Sequence, residues 1–290
     1  MSALNVISIQ RGCIYDGLGV RTTVFLKGCP FSCSWCCNPE ALSGKEYYID
    51  NQKCLKELGV YSLLCESCER KGGARSIIEC PFSVCAPIAK RYDSEDLLKE
   101  LLKDSSLFEQ SGGGVTLSGG EPLLQWKPLV PLLSELKAAN IHVSIETTLY
   151  MRDKQVVEHL IPYIDEWIVD LKLQKEHTKE DYFYVLHGNL GLLRESMSRI
   201  AYRLVYVETL QAEKVISQLQ DLGINAFELL KCHSLAKSKY DKLGIPFMDY
   251  TPSDTAYNVF YRKMLEAGLQ IVTLRLLNSW FRIVRIYVRL

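Results

Sequence analysis

The stretch Gly28-Cys29-Pro30-Phe31-Ser32-Cys33-Ser34-Trp35-Cys36-Cys37-Asn38-Pro39-Glu40 constrains this chain more than any other. Cys29, Cys33 and Cys36 are spaced C-x3-C-x2-C, so one short loop can curl around an iron–sulfur cube, whose irons require thiolates. Three ligands leave one iron without a protein ligand, an open position of the kind catalytic metal sites keep. Pro30 stiffens the turn, and no helix or strand signal interrupts it. A zinc knuckle or a chance grouping of buried thiols is the competing reading. Zinc sites, however, usually combine C-x2-C pairs into four ligands.

The segment before this loop, Arg21 to Lys27, is rich in Thr, Val and Phe and reads as a strand. It places the cysteines just past a strand's carboxyl end, where active sites of parallel α/β barrels sit. At 290 residues the chain can bury one large core, or a barrel with an insert. Lysine plus arginine and aspartate plus glutamate stand at 34 each, so no global field recruits nucleic acid or an anionic membrane. Met1 to Val6 lacks a basic region followed by an apolar core, and no run of about 18 apolar residues exists. Eleven cysteines without an export signal favour metal ligation over disulfides. The expectation is a cytoplasmic enzyme from an anaerobic setting.

From about Ser43 to Tyr92 the composition changes. Cys54, Cys65, Cys68, Cys80 and Cys85 fall in a segment with little hydrophobic periodicity that contains Lys71-Gly72-Gly73. A segment so poor in core-formers needs metal to hold it. An auxiliary four-iron cluster bound by Cys65, Cys68 and Cys80 with Cys54 or Cys85 is the preferred reading. A structural zinc site and a metal-free insert are the alternatives.

The remainder alternates. Asp93 to Phe108 reads as an amphipathic helix capped by Asp93 or Ser94, with Leu97, Leu98, Leu101 and Leu102 on one face. Val115 to Leu117 is a short buried strand running into Ser118-Gly119-Gly120-Glu121-Pro122, where glycine would let the backbone approach a ligand. Leu129 to Ala139 is a helix and Ile141 to Glu146 a strand ending in Glu146-Thr147-Thr148. Trp167 to Leu171 is another, ending in Asp170-Leu171-Lys172. Tyr202 to Val207 carries Arg203, and Phe227 to Leu230 leads to Lys231-Cys232-His233-Ser234. Ser253 to Ala267 reads as a helix and Leu269 to Leu274 as a final strand. Strands recurring every 25 to 35 residues indicate βα units rather than a sandwich. Polar residues at their successive carboxyl ends point to one shared pocket.

Asp16-Gly17-Leu18-Gly19-Val20-Arg21-Thr22-Thr23-Val24-Phe25-Leu26-Lys27-Gly28-Cys29-Pro30, followed by Trp35-Cys36-Cys37-Asn38-Pro39-Glu40, resembles the amino-terminal signature of radical S-adenosylmethionine (SAM) enzymes. Within that superfamily the chain is most similar to the glycyl-radical-enzyme activating enzymes, from about Ile7 to about Leu276. The resemblance implies an α/β fold, a partial (β/α)6 TIM-like barrel with a cysteine-rich ferredoxin-like insert. The barrel would span residues 1–42 and 93–276, the insert 43–92, and a tail of unassigned structure 277–290. Cys29, Cys33 and Cys36 would bind a catalytic 4Fe-4S cluster, while the family spacing makes Cys37 a bystander. SAM would be held by Gly119, Gly120 and Glu121 at its amino group, and by Glu146, Thr147, Asp170 and Lys172 at its ribose and carboxylate. Trp35, Arg203 and His233 match further cofactor-contacting positions, and some members also bind a monovalent cation. The implied reaction cleaves SAM to methionine and a 5′-deoxyadenosyl radical that takes a hydrogen from a backbone glycine of a partner glycyl radical enzyme. A flavodoxin or ferredoxin-type protein would supply electrons.

Three departures mark this chain. Leu18 stands where the family usually has proline, Leu149 where a glycine usually follows the Glu146 motif, and the insert has five cysteines rather than eight. Three other functions stay open at this point, one of them a zinc-scaffolded interaction protein that metal analysis would separate from the rest. A radical enzyme acting on a small molecule or another peptide would share everything except the partner. A ferredoxin-like electron carrier would explain the cysteines but not Gly119, Asp170 and Lys172.

Overall fold

Runs of aliphatic and β-branched residues build the sheet, and leucine-rich amphipathic segments cover it. The computed structural model describes residues 3–42, 44, 46–49, 84–173 and 179–273. Six strands run parallel and adjacent: β2 (Arg21–Leu26), β6 (Gly114–Gly119), β7 (His142–Thr147), β8 (Glu166–Asp170), β9 (Ile200–Tyr206) and β10 (Ala226–Lys231). Each pairs with the next in sequence, as expected when right-handed crossovers wind in one direction. β1 (Leu4–Cys13) lies antiparallel to β2, and β5 (Lys90–Tyr92) antiparallel to β1. β11 (Gln270–Ile271) ends the far edge beside β10, giving the order β11-β10-β9-β8-β7-β6-β2-β1-β5. The two edge strands do not meet, so this is a partial barrel.

The crossovers are α1 (Ser94–Leu102) and α2 (Ser105–Ser111), α3 (Trp126–Ala138), α4 (Lys154–Leu160), α5 (Tyr182–Glu195) and α6 (Ala212–Asp221). α7 (Lys237–Leu243) and α8 (Asp254–Glu266) follow β10. Alternate strand residues face these helices: Val115 and Leu117, Val143 and Ile145, Trp167 and Val169, all buried in one large core with Leu97, Leu133 and Leu190. The other alternation set is mostly polar: Thr116 and Ser118, Ser144 and Glu146, Asp170, Arg203 and Glu228. The main core therefore lies between sheet and helices, and the inside of the barrel is left for polar chemistry.

Several elements differ from expectation. The helix expected over Asp93 to Phe108 is two, because Asp104 leaves helical geometry (φ −102°, ψ 7°) and its Oδ2 accepts the Thr22 hydroxyl at 2.7 Å. β1 carried no strand reading, and Lys90–Tyr92, grouped with the insert on composition, extend the barrel sheet. The strand expected over Leu269 to Leu274 is confined to two residues among those described. β3 (Tyr47–Ile49) and β4 (Cys85–Pro87) pair antiparallel, so the insert leaves and rejoins the barrel at one place. Cys54, Cys65, Cys68 and Cys80 lie outside the described residues, as does the tail. Among the described residues no helix is long and apolar enough to cross a membrane.

Candidate active site

β2 delivers its chain into the cysteine loop at the carboxyl ends of the parallel strands. Phe31, 3 % exposed, anchors that loop against Tyr150 and Tyr182, with ring centroids 5.3 and 5.4 Å away. Trp35 packs edge-on to Tyr250 at 6.3 Å. The result is a cavity of about 290 Å³ at the barrel mouth, lined by Cys29, Cys33 and Cys36. The same cavity is lined by Gly119, Gly120, Glu146, Thr147, Asp170, Lys172 and His233, and by Trp35 of the cysteine loop. That volume sits at the small end of the usual range for ligand pockets.

The donor chemistry fits an iron–sulfur cube. Burial pushes the Cys29 thiol up to about 12 and also raises Cys33 and Cys36. Without a cation the three would stay protonated; a metal centre would convert them to thiolates. Among the described residues no three His, Cys, Asp or Glu side chains converge closely enough for a single metal ion. Three thiols lining one cavity suit a cube that takes one thiolate per iron.

The glycines after β6 answer to the cysteine loop itself. A Cβ on Gly119 (φ +106°) would lie 2.3 Å from Leu26 N, and one on Gly120 would lie 1.9 Å from Gly28 O. In their place run two backbone bonds, Gly120 N to Leu26 O at 2.9 Å and Glu121 N to Gly28 O at 2.7 Å. Glycine is thus required by the approach of β2 as well as by the cavity that the same backbone lines.

Two expected contact residues stand behind the cavity wall. Glu121 is fully buried and accepts from the hydroxyls of Thr147 (2.6 Å) and Thr148 (2.5 Å), and from the Thr148 and Leu123 amides (2.8 and 3.2 Å). It ties the β6 loop to the end of β7. Arg203 donates Nε to Glu228 at 2.9 Å, Nη2 to Tyr15 O at 2.8 Å and Nη1 to Glu146. It holds Glu146, whose other oxygen accepts the Ser118 hydroxyl at 2.6 Å. Burial pushes the Glu146 carboxyl up, but Arg203 and Ser118 outweigh it and hold it below the ordinary range.

Asp170 and Lys172 pair at 2.6 Å inside the cavity. Burial alone would lower the ammonium's pKa, yet the Asp170 carboxylate outweighs it and raises it well above normal. Among the described residues Asp170 Oδ1 is buried with no hydrogen-bond partner, an acceptor left for a ligand.

The loop after β7 makes a left-handed turn at the position where the family resemblance leads one to expect glycine. Leu149 adopts φ +57°, a left-handed conformation that costs a side-chained residue of order 1 kcal/mol. Its fully buried side chain offsets that cost, and Asn189 Nδ2 donates to Leu149 O at 3.0 Å. Cys37, Cys232, Asn38, Ser118 and Thr148 also line the cavity and were not singled out as site residues. Ser118 was within reach of sequence reasoning, two residues beyond Thr116 on the inner face of β6. Cys37 and Cys232 carried no such signal.

A family described as "4Fe-4S single cluster domain" matches residues 15–188. The chain is 32 % identical to the trans-4-hydroxy-L-proline dehydratase activating enzyme of Clostridioides difficile, over 82 % of this chain and 87 % of that one. It is 34 % identical to the pyruvate formate-lyase 2-activating enzyme of Escherichia coli (strain K12), over 92 % and 91 %. In fold it is similar to Streptococcus suis SuiB bound to precursor peptide SuiA (TM-score 0.50, 13 % identity), covering 88 % of this chain and 48 % of that one. A partial parallel barrel with a thiol-lined mouth, matched to a 4Fe-4S domain, defines an iron–sulfur enzyme. Within that class, the chain belongs to the glycyl-radical-enzyme activating enzymes.

Proposed function

We propose that this chain removes a hydrogen atom from a backbone glycine of a partner glycyl radical enzyme. When bound, the cluster and SAM supply the reagent: one electron cleaves a carbon–sulfur bond, giving methionine and a 5′-deoxyadenosyl radical that becomes 5′-deoxyadenosine on taking the hydrogen. The observation that carries this reading is that Cys29, Cys33 and Cys36 share one cavity with Gly119, Gly120, Glu146, Thr147, Asp170, Lys172 and His233.

Each residue has work matched to its surroundings. Cys29, Cys33 and Cys36 would hold the cluster, one thiolate per iron. The Gly119-Gly120 backbone receives the cofactor's amino group, and Asp170 Oδ1 offers it, or a monovalent cation, an acceptor with no competing partner. Lys172, kept charged by Asp170, meets the carboxylate. Glu146 and Thr147 face the ribose, while Trp35 and His233 flank the cofactor. Glu121 and Arg203 act one step removed, as positioning residues. Closing the wall around the reagent excludes water from a reactive intermediate. An auxiliary cluster on the Cys65-x2-Cys68 insert and electron delivery by a reduced flavodoxin or ferredoxin-type protein complete the proposal.

The test is anaerobic reconstitution with iron and sulfide, reduction, and addition of SAM with a glycyl radical enzyme encoded beside this chain. Stoichiometric 5′-deoxyadenosine and a glycyl doublet in the electron paramagnetic resonance (EPR) spectrum of the partner are expected. Formation of 5′-deoxyadenosine without that doublet in any neighbouring partner would redirect the reading to a small-molecule substrate.

A further inference from the structure

The cysteine loop is gripped from the far end of the barrel. Lys239 on α7 donates Nζ to Cys37 O at 3.1 Å and to Asn38 Oδ1 at 2.9 Å, and pairs with Glu40 Oε1 at 2.6 Å. Its neighbour Tyr240, itself buried, donates its hydroxyl to Cys36 O at 3.0 Å and is 3.4 Å from Ser34 O. Two adjacent side chains thus reach the loop from Ser34 to Glu40, about 200 residues away in sequence. The opposite flank is held by Lys27, whose Nζ donates to Glu40 O at 2.9 Å and Leu42 O at 2.7 Å.

We propose that Lys239 and Tyr240 are positioning residues that clasp the cluster loop across the open side of the barrel and tune the iron–sulfur centre. The inference rests on ligation by Cys29, Cys33 and Cys36. The loop's own backbone bonds, such as Cys36 N to Cys33 O at 3.1 Å and Ala41 N to Asn38 O at 2.9 Å, are local, and Lys239 and Tyr240 anchor it from outside. Lys239 and Tyr240 bind carbonyls at and just after the third ligand, so they fix where that thiolate stands. The Lys239 cation also lies beside a centre that gains negative charge on reduction, and so favours the reduced form. Its partner Glu40 is almost fully buried, which limits solvent screening of the pair. Hydrogen bonding and charge around sulfur ligands are established controls of cluster potential.

The experiment compares wild type, Lys239→Met, Lys239→Arg, Tyr240→Phe and the remote Lys263→Met after anaerobic reconstitution. It reads iron content, the reduced-cluster EPR spectrum with and without SAM, and the midpoint potential. Lys239→Met should lower the reduction equilibrium about tenfold, which for one electron is about 59 mV more negative. Tyr240→Phe should alter the SAM-perturbed spectrum, and Lys239→Arg should recover the wild-type potential. Lys263→Met, which breaks only the α8 pair with Glu213, should change nothing. Full iron content with unchanged potential and spectra in both Lys239→Met and Tyr240→Phe would overturn the clasp. If Lys239→Met loses iron, restoration by Lys239→Arg supports the clasp, and failure of Lys239→Arg to restore it overturns it. Wild-type protein that binds no cluster, or a cluster that SAM does not perturb, would instead overturn the ligation reading.

Discussion

The two ends of the barrel interior are both polar and both buried, yet they are built for different ends. At the floor, where the strands begin, Arg21 is fully buried and donates to Thr116 Oγ1 and Ser144 Oγ at 3.0 Å each, and to His142 O at 3.3 Å. Glu166 accepts from Ser144 at 3.2 Å and pairs with Arg199 at 3.0 Å. Burial lowers Arg21 to about 10, against the pull of Glu166. No atom of Arg21, Ser144 or Glu166 is among the buried polar atoms lacking a partner. At the mouth the account stays open: three thiols, the Asp170–Lys172 pair and a partnerless carboxylate oxygen face one cavity. Buried polar groups that close on one another hold a fold, whereas those left open await a ligand.

Four substitutions can break or sharpen that contrast. Cys33→Ala, at the mouth, should remove one cluster's worth of iron and reduce 5′-deoxyadenosine to the level of a protein-free control. Retained SAM cleavage would show that the mouth thiols are not the ligands.

At the floor, Glu166→Gln leaves Arg21 and Arg199 without their buried counter-charge. It should cost about 3 kcal/mol of stability, seen as a lower midpoint in anaerobic melting, while SAM affinity stays within about twofold. A variant that kept its stability but lost the cofactor would dissolve the distinction between the ends.

Asp170→Asn should do the reverse. It removes the charge that holds Lys172 and exchanges an acceptor for a donor at the cavity. SAM affinity should fall about tenfold, about 1.4 kcal/mol, a loss the floor variant does not show. Equilibrium dialysis under anaerobic conditions measures it.

The smallest effect falls at Glu146, which lines the mouth. A carboxyl held low in the folded state contributes stability above its unfolded pKa of about 4.3, and that contribution is lost as pH falls through the folded value. Glu146→Gln should therefore flatten the decline in stability below about pH 4.3 while leaving the neutral-to-alkaline limb parallel to wild type. An acid limb as steep as wild type would mean that Arg203 does not hold Glu146 charged.

What the sequence determined by itself was local. The cysteine spacing, the strand before it and the polar residues closing β6, β7 and β8 could all be read because ligand spacing and strand period are short-range properties. The βα alternation determined the class of fold for the same reason. Tertiary structure alone decided which polar residues touch the cavity. Glu121 and Arg203 sit in motifs indistinguishable from those of their neighbours, yet strand register turns them toward Thr147, Thr148 and Glu146. It also decided that Leu149 keeps the left-handed turn, since only its packing shows what offsets the backbone cost. The reach of Lys239 and Tyr240 to the cysteine loop joins segments brought together only by folding. One sequence carries no spacing signal for contacts that long, because the winding of the whole barrel sets which ends meet.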